Sequence, residues 1–194
     1  MIKKNLDEVG PWTEIKLEIL KKYAQAYTQV LSRQESIRRY IYIDAFAGPG
    51  THISREKGVE INGSPAIAMQ VSPAFSEYHL IDLTRSKANE LRNKYGNREN
   101  VFIYEEDCNQ ILCQKIFPRC RFEDYARALC LLDPYAISVD WEVLETAGEM
   151  RSIEVFYNFM IMDGNMNVFR TDPSKVTPEQ IARMDRVWGD HSWR

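Results

Sequence analysis

The residues able to do chemistry stand just after short apolar runs. Tyr40-Ile41-Tyr42-Ile43-Asp44-Ala45-Phe46 leads into Ala47-Gly48-Pro49-Gly50, so Asp44, Phe46, Gly48 and Gly50 spell DxFxGxG. Glycines let a backbone turn sharply and approach a ligand closely. A phosphate-gripping loop needs GxxxxGK[ST], which this stretch lacks. A dinucleotide fingerprint needs a third glycine that opens directly into a helix, but a polar loop over 51–62 follows instead. An S-adenosylmethionine loop needs no phosphate grip and fits. A plain glycine turn is the competing reading.

Asp82 ends the next run, where an acid can accept both ribose hydroxyl hydrogens. Asp107 and Cys108 follow the third. The carboxylate of Asp107 can accept from an adenine amino group while the Cys108 backbone N–H donates to the ring. Asp107 would also serve as a helix N-cap, yet three acids at three successive strand ends are harder to assign to capping alone. The fourth run ends Leu131-Leu132-Asp133-Pro134-Tyr135. Methyl transfer to an exocyclic amino nitrogen is difficult because the lone pair is delocalised into the base. A carboxylate (Asp133) and an outward-held carbonyl (Pro134) can accept the amino hydrogens and favour a tetrahedral nitrogen. Tyr135 can stack on the base. A local turn with a packed tyrosine is the alternative.

These residues need a scaffold, and the pattern supplies one. Strands are expected over 40–46, 78–81, 101–104, 128–132 and 153–159, with helices over 13–32, 66–71, 85–95, 107–117, 139–150 and 178–188. Ser64 is expected as N-cap with Pro65 at the first helical position, Gly96 as a C-terminal cap, and Thr177 as the last N-cap. On the first helix, Ile15, Ile19, Leu20, Tyr23, Tyr27, Val30 and Leu31 form the expected apolar stripe, with Lys16, Lys21 and Lys22 on the wet side. Strand–helix alternation means a doubly wound α/β fold: a mostly parallel sheet with helices on both faces, in one domain over 1–194 whose residues 1–35 form a helical extension packed on the core. Right-handed crossovers place every strand's carboxyl end on one rim, where ligands bind.

Composition agrees. An apolar share of 44% in 194 residues supplies a core, which excludes a disordered chain. A net charge of −3 argues against coating nucleic acid by charge alone, without excluding a local basic groove. No run approaches the length needed to span a bilayer, and Met1–Glu8 has no apolar core of a secretory signal, so a cytoplasmic protein without membrane contact is expected. Cys108, Cys113, Cys120 and Cys130 lack the CxxC spacing of a zinc site; reduced thiols are expected, and no metal. His52, His79 and His191 form no ligand pattern.

Taken together, Tyr40–Gly50 (YIYIDAFAGPG), Gly63–Ala68 (GSPAIA), Glu77–Leu83 (EYHLIDL), Asp107–Asn109 (DCN), Ala126–Tyr135 (ARALCLLDPY) and Ile181–Arg194 (IARMDRVWGDHSWR) resemble the three-Cys-motif partner protein family. This is a bacterial group with a class I methyltransferase-like fold, and the resemblance runs nearly end to end. It implies S-adenosylmethionine as cofactor, and as partner the neighbouring three-cysteine radical-SAM-like protein that gives the family its name. More distantly, the loop-then-helix arrangement after Gly50 looks like bacterial adenine-N6 methyltransferases of large-subunit ribosomal RNA. Those carry Asp-Pro-Pro-Tyr after strand four; here Asp133-Pro134-Tyr135-Ala136 is one proline short, which displaces the tyrosine ring by one residue. The implied activity is methylation of a nucleobase amino group in RNA or DNA. The rival is a non-catalytic module that keeps the cofactor fold and binds the three-cysteine protein. The class I fold implies seven strands; with five legible, a shortened chain or an incomplete sheet is expected.

Overall fold

The computed structural model describes residues 7–194. A two-residue strand, β1 (Glu8–Val9), precedes the long helix α1 (Pro11–Leu31), which starts with proline where a missing N–H costs nothing. The central strand β2 (Arg39–Asp44) follows, then the short strands β3 (Thr51–Ser54) and β4 (Glu60–Asn62), and helix α2 (Ser64–Ala68). The alternation continues as β5 (Glu77–Ile81), α3 (Arg85–Tyr95), β6 (Val101–Tyr104), α4 (Cys108–Ile111), β7 (Ala126–Leu132), α5 (Trp141–Met150) and β8 (Ile153–Tyr157). Two further helices, α6 (Ile161–Asn167) and α7 (Pro178–Trp188), end the described chain.

Five strands form one all-parallel sheet in the order β6-β5-β2-β7-β8. Counted along the chain, that order is 3-2-1-4-5. Both faces are covered. Alternate residues Ile41, Ile43, Ala128, Cys130 and Leu132 point toward α4 and α5, where they meet Ile111, Val143 and Ala147. Their neighbours Tyr42, Leu129 and Leu131 point the other way, onto Leu20 and Ala24 of α1, Ala68 of α2 and Leu91 of α3. A strand's two-residue period thus feeds two cores, which is why these strands read as nearly continuous apolar runs. The doubly wound α/β architecture expected from the alternation is the one observed.

Several local expectations change. The stretch 51–62 is not an irregular loop: β3 and β4 pair antiparallel, and β1 adds to β3 in parallel, making a small second sheet. The helix after Gly63 begins at Ser64 itself with Gly63 as N-cap, so the serine is free for another partner. The helix expected over 107–117 tightens and widens in turn: α4 passes into a π turn (Leu112–Ile116) and a 3₁₀ turn (Phe117–Arg119). Helix α6 lies in a stretch where the pattern predicts no helix. On α1, Ile15, Ile19 and Val30 are exposed, while Leu20, Ala24 and Thr28 are buried. Thr177 caps α7 in a full capping box with Gln180, as its spacing predicts. Cys130 is core, and all four thiols are free. No described helix is long and apolar enough to cross a membrane.

Candidate functional site

The carboxyl ends of β2 and β7 are adjacent at the middle of the sheet, and the chain leaves them toward opposite faces. A cleft of about 250 Å³ opens there. Its sheet side is Phe46 and Gly48 after β2, Leu131, Asp133, Pro134 and Tyr135 around the end of β7, and Asn158 after β8. Helix α1 forms its other wall through Thr13, Lys16, Leu17 and Leu20, and His52 of β3 stands at one end.

Asp44 is fully buried beneath this cleft rather than in it. Its carboxylate accepts from the Tyr42 hydroxyl at 3.0 Å, from the Phe46 amide at 3.3 Å and from the Ser64 side chain. Burial pushes its pKa up to about 6, against the pull of those donors, and the charge of Asp133 adds to the rise. Ser64 therefore helps hold the loop from β2 to α2 instead of capping α2. Gly48 and Gly50 turn through left-handed conformations, φ 59° and 77°, as the DxFxGxG pattern requires.

Asp82 is also buried, and it ties two rim loops together. One oxygen accepts from the Gly48 amide at 3.0 Å, the other from the Thr84 amide at 2.7 Å. Each oxygen keeps a lone pair for a further donor. Asp107 caps α4 by accepting from the Asn109 amide at 2.8 Å, and lies exposed outside the cleft. Cys108 beside it is buried, which pushes its thiol up to about 12. The structure thus brings Phe46, Gly48, Asp133, Pro134 and Tyr135 to one cleft, sets Asp44 under it, links Asp82 to it through Gly48, and leaves Asp107 and Cys108 outside its lining.

The sharpest correction concerns Lys16. It is half-buried, not on the wet side, and its ammonium donates to both Asp133 oxygens at 2.7 Å. Asn158 donates to the same carboxylate at 2.7 Å. Helical spacing puts Lys16 one turn before buried Leu20, and that register carried the signal; the apolar residues at 15 and 19 point elsewhere. Asn158 follows the observed end of β8 but falls inside the strand expected over 153–159, so the strand-end rule that found Asp82 and Asp133 passes over it. Tyr135 does not stack inward. Its side chain is largely exposed, with its hydroxyl accepting from Lys87 at 3.1 Å and donating to Asp7 at 3.3 Å, and its ring lies 5.0 Å from the Lys87 ammonium. Burial alone would lower the Lys87 pKa, but the hydrogen bonds to Asp7 and Tyr135 outweigh it and raise it. With Asp7 and Lys87 at 2.8 Å, this triad ties Asp7, the residue just before β1, to α3 and to Tyr135 after β7.

In chemical terms the cleft combines apolar side chains, a glycine loop and a carboxylate that already holds an amine. Among the described residues no three His, Cys, Asp or Glu side chains group as metal ligands.

No family model and no curated protein matches the chain. Among solved structures it is similar to the Legionella pneumophila protein LPL1258 of family DUF519, with a TM-score of 0.51 and 14% identity over 72% of this chain. The match spans 66% of that protein, just under two thirds of its length. At that identity the likeness shows the α/β fold alone.

Proposed function

We propose that this chain is an S-adenosylmethionine-dependent methyltransferase acting on an exocyclic amino group of a nucleobase in RNA or DNA, as its resemblance to the three-Cys-motif partner family implies. One observation carries the proposal: the glycine loop after β2 and Asp133-Pro134 after β7 meet in a single cleft. That is the point of an open α/β sheet where strand order reverses and ligands bind.

The residues fit such a cofactor. Where a side chain at Gly48 would begin, the nearest atom is His52 Cε1 at 3.8 Å, so the glycine leaves an open cradle. In this reading Phe46 and Gly48 hold the amino-acid end, Gly50 turns the loop back against Tyr95 and Leu91 of α3, and Asp44 braces the loop from below. Asp82 takes the ribose hydroxyls with its remaining lone pairs, and the adenine extends along the rim beyond the cleft lining toward Asp107 and the Cys108 amide. When bound, S-adenosylmethionine supplies an electrophilic methyl group on a sulfonium. The chain's own task is positioning and charge complementarity. Asp133 and the Pro134 carbonyl accept the hydrogens of the acceptor amino group, and the apolar walls of Leu131 and Phe156 exclude water around it. The Lys16 ammonium occupies the place an amino group would take on Asp133, so the acceptor must displace it from at least one oxygen.

That same contact favours the second reading. A carboxylate closed by the chain's own lysine suits a non-catalytic module that binds a three-cysteine radical-SAM-like protein. Calorimetry with S-adenosylmethionine separates the two: the enzyme binds it, whereas the module need not. Transfer of labelled methyl groups to RNA or DNA then tests the reaction. Asp133→Ala is expected to abolish transfer with cofactor affinity nearly unchanged; a collapse of cofactor affinity would reassign Asp133.

A further inference from the structure

His52 has no part in the reaction as described, yet it is built into the cleft. It lies in β3, and its ring packs over two glycines of the loop region. A Cβ at Gly63 would stand 3.2 Å from Nε2, and one at Gly48 would stand 3.8 Å from Cε1. Those two positions leave the room that the imidazole fills, which sets it against the cradle of the glycine loop. Its Nδ1 is sealed from solvent with no hydrogen-bond partner among the described residues. A buried polar nitrogen left unmet is costly, and such an atom beside a cleft points to a partner from outside the chain.

The surroundings narrow what that partner is. Burial lowers the His52 pKa; Asp7 and Asp133 raise it, and Lys87 and Lys94 add to the lowering. The ring is therefore neutral near pH 7, with one nitrogen that donates and one that accepts. Its charged neighbours are engaged elsewhere: Asp133 with Lys16, Asp7 with Lys87, and Lys94 with the Pro49 carbonyl and Thr51. Hydrogen bonds to ionised groups are the strong ones, and the charge that acts most on this ring, that of Asp7, favours a cationic donor over an anionic acceptor.

We infer that His52 is the residue that recognises the α-ammonium group at the amino-acid end of the cofactor, its unmet Nδ1 accepting an ammonium hydrogen beside the Gly48 loop once the seated ligand opens that nitrogen's sealed position. This rests on the cofactor reading above. It makes His52 a specificity residue for ligands that carry a free amino group next to the thioether or sulfonium arm.

The test uses S-adenosylhomocysteine, which carries the amino group but no reactive methyl, and its deaminated analogue. Calorimetry on the full chain is expected to show the amino ligand binding about tenfold or more tightly than the deaminated one. His52→Phe is expected to bind the two alike, and His52→Gln, which keeps an acceptor, to recover part of the preference. Nitrogen NMR of the wild-type histidines needs no variant: the His52 ring nitrogens are expected to shift on adding the amino ligand and not the deaminated one. A wild type that binds S-adenosylhomocysteine with unmoved His52 nitrogens, or a His52→Phe variant that keeps the preference, overturns the inference and leaves the cofactor reading intact. A wild type that binds neither ligand overturns both.

Discussion

Asp44→Asn isolates the most perturbed acid in the site. The wild-type carboxyl is fully buried, and its pKa is raised from the ordinary 3.8 to about 6, chiefly by loss of water, with Ser64, Tyr42 and the Phe46 amide opposing the rise. The folded state therefore holds this proton more tightly than the unfolded chain. Its contribution to stability is fully present below about pH 4 and is lost as pH rises toward about 6. At about 1.4 kcal/mol for each tenfold change in proton affinity, the span amounts to about 3 kcal/mol. Asparagine cannot titrate, so the variant lacks this slope. Urea unfolding of both proteins across about pH 4 to about pH 7 measures it, provided the dependence on denaturant is the same for both. The stability of the variant relative to wild type is expected to climb by about 3 kcal/mol over that interval and then level off. Two parallel profiles would refute the argument that burial at the end of β2 controls this acid.

Three further perturbations address other parts of the site. If S-adenosylmethionine binds above Asp44, its affinity is expected to rise through about pH 6 as the carboxyl ionises beneath a cationic ligand, and to be flat in Asp44→Asn; calorimetry at several pH values decides. The Lys16–Asp133 pair is partly exposed, so a double-mutant cycle of Lys16→Met and Asp133→Asn should give a coupling of about 1 kcal/mol in unfolding free energy, and additive effects would mean that no such pair forms. Gly50→Ala puts a side chain at φ 77°, 3.3 Å from the Tyr95 ring, and should lower stability by about 1–2 kcal/mol, read as a fall in melting temperature.

The sheet was legible because its strands are buried on both faces. Ile41–Ile43, Leu80–Ile81 and Leu129–Leu132 leave no polar positions to blur the pattern, and Asp82 and Asp133 stand out at their ends. What the sequence hid was decided by tertiary contacts. On α1 the small residue Ala24 packs in the cluster that holds Phe75, and Thr28 is buried, whereas Ile15 and Ile19 remain exposed. An apolarity count therefore turns that helix the wrong way and puts Lys16 in water. Ser64 gives up a capping role that Gly63 fills, because Asp44 offers it a buried partner. The β3–β4 hairpin turns at Gly58 with mostly polar residues on both arms, so its period is faint. Asp107 carries the weakest link to function: its capping bond explains it, and the cleft lining does not include it.

Strand β2 is early in the chain yet central in space. It meets β5 on one side, but its other edge waits for β7, and Lys16 waits for a carboxylate 117 residues away. Contacts this distant along the chain must close long loops before they are rewarded, which slows folding. A nascent chain that has emerged only as far as β6 holds three of the five strands, with the backbone N–H and C=O groups along one edge of β2 unpaired and open to any passing strand. Its most vulnerable moment thus falls during synthesis, before the ribosome has delivered Ala126–Leu132, and the pocket cannot exist before then.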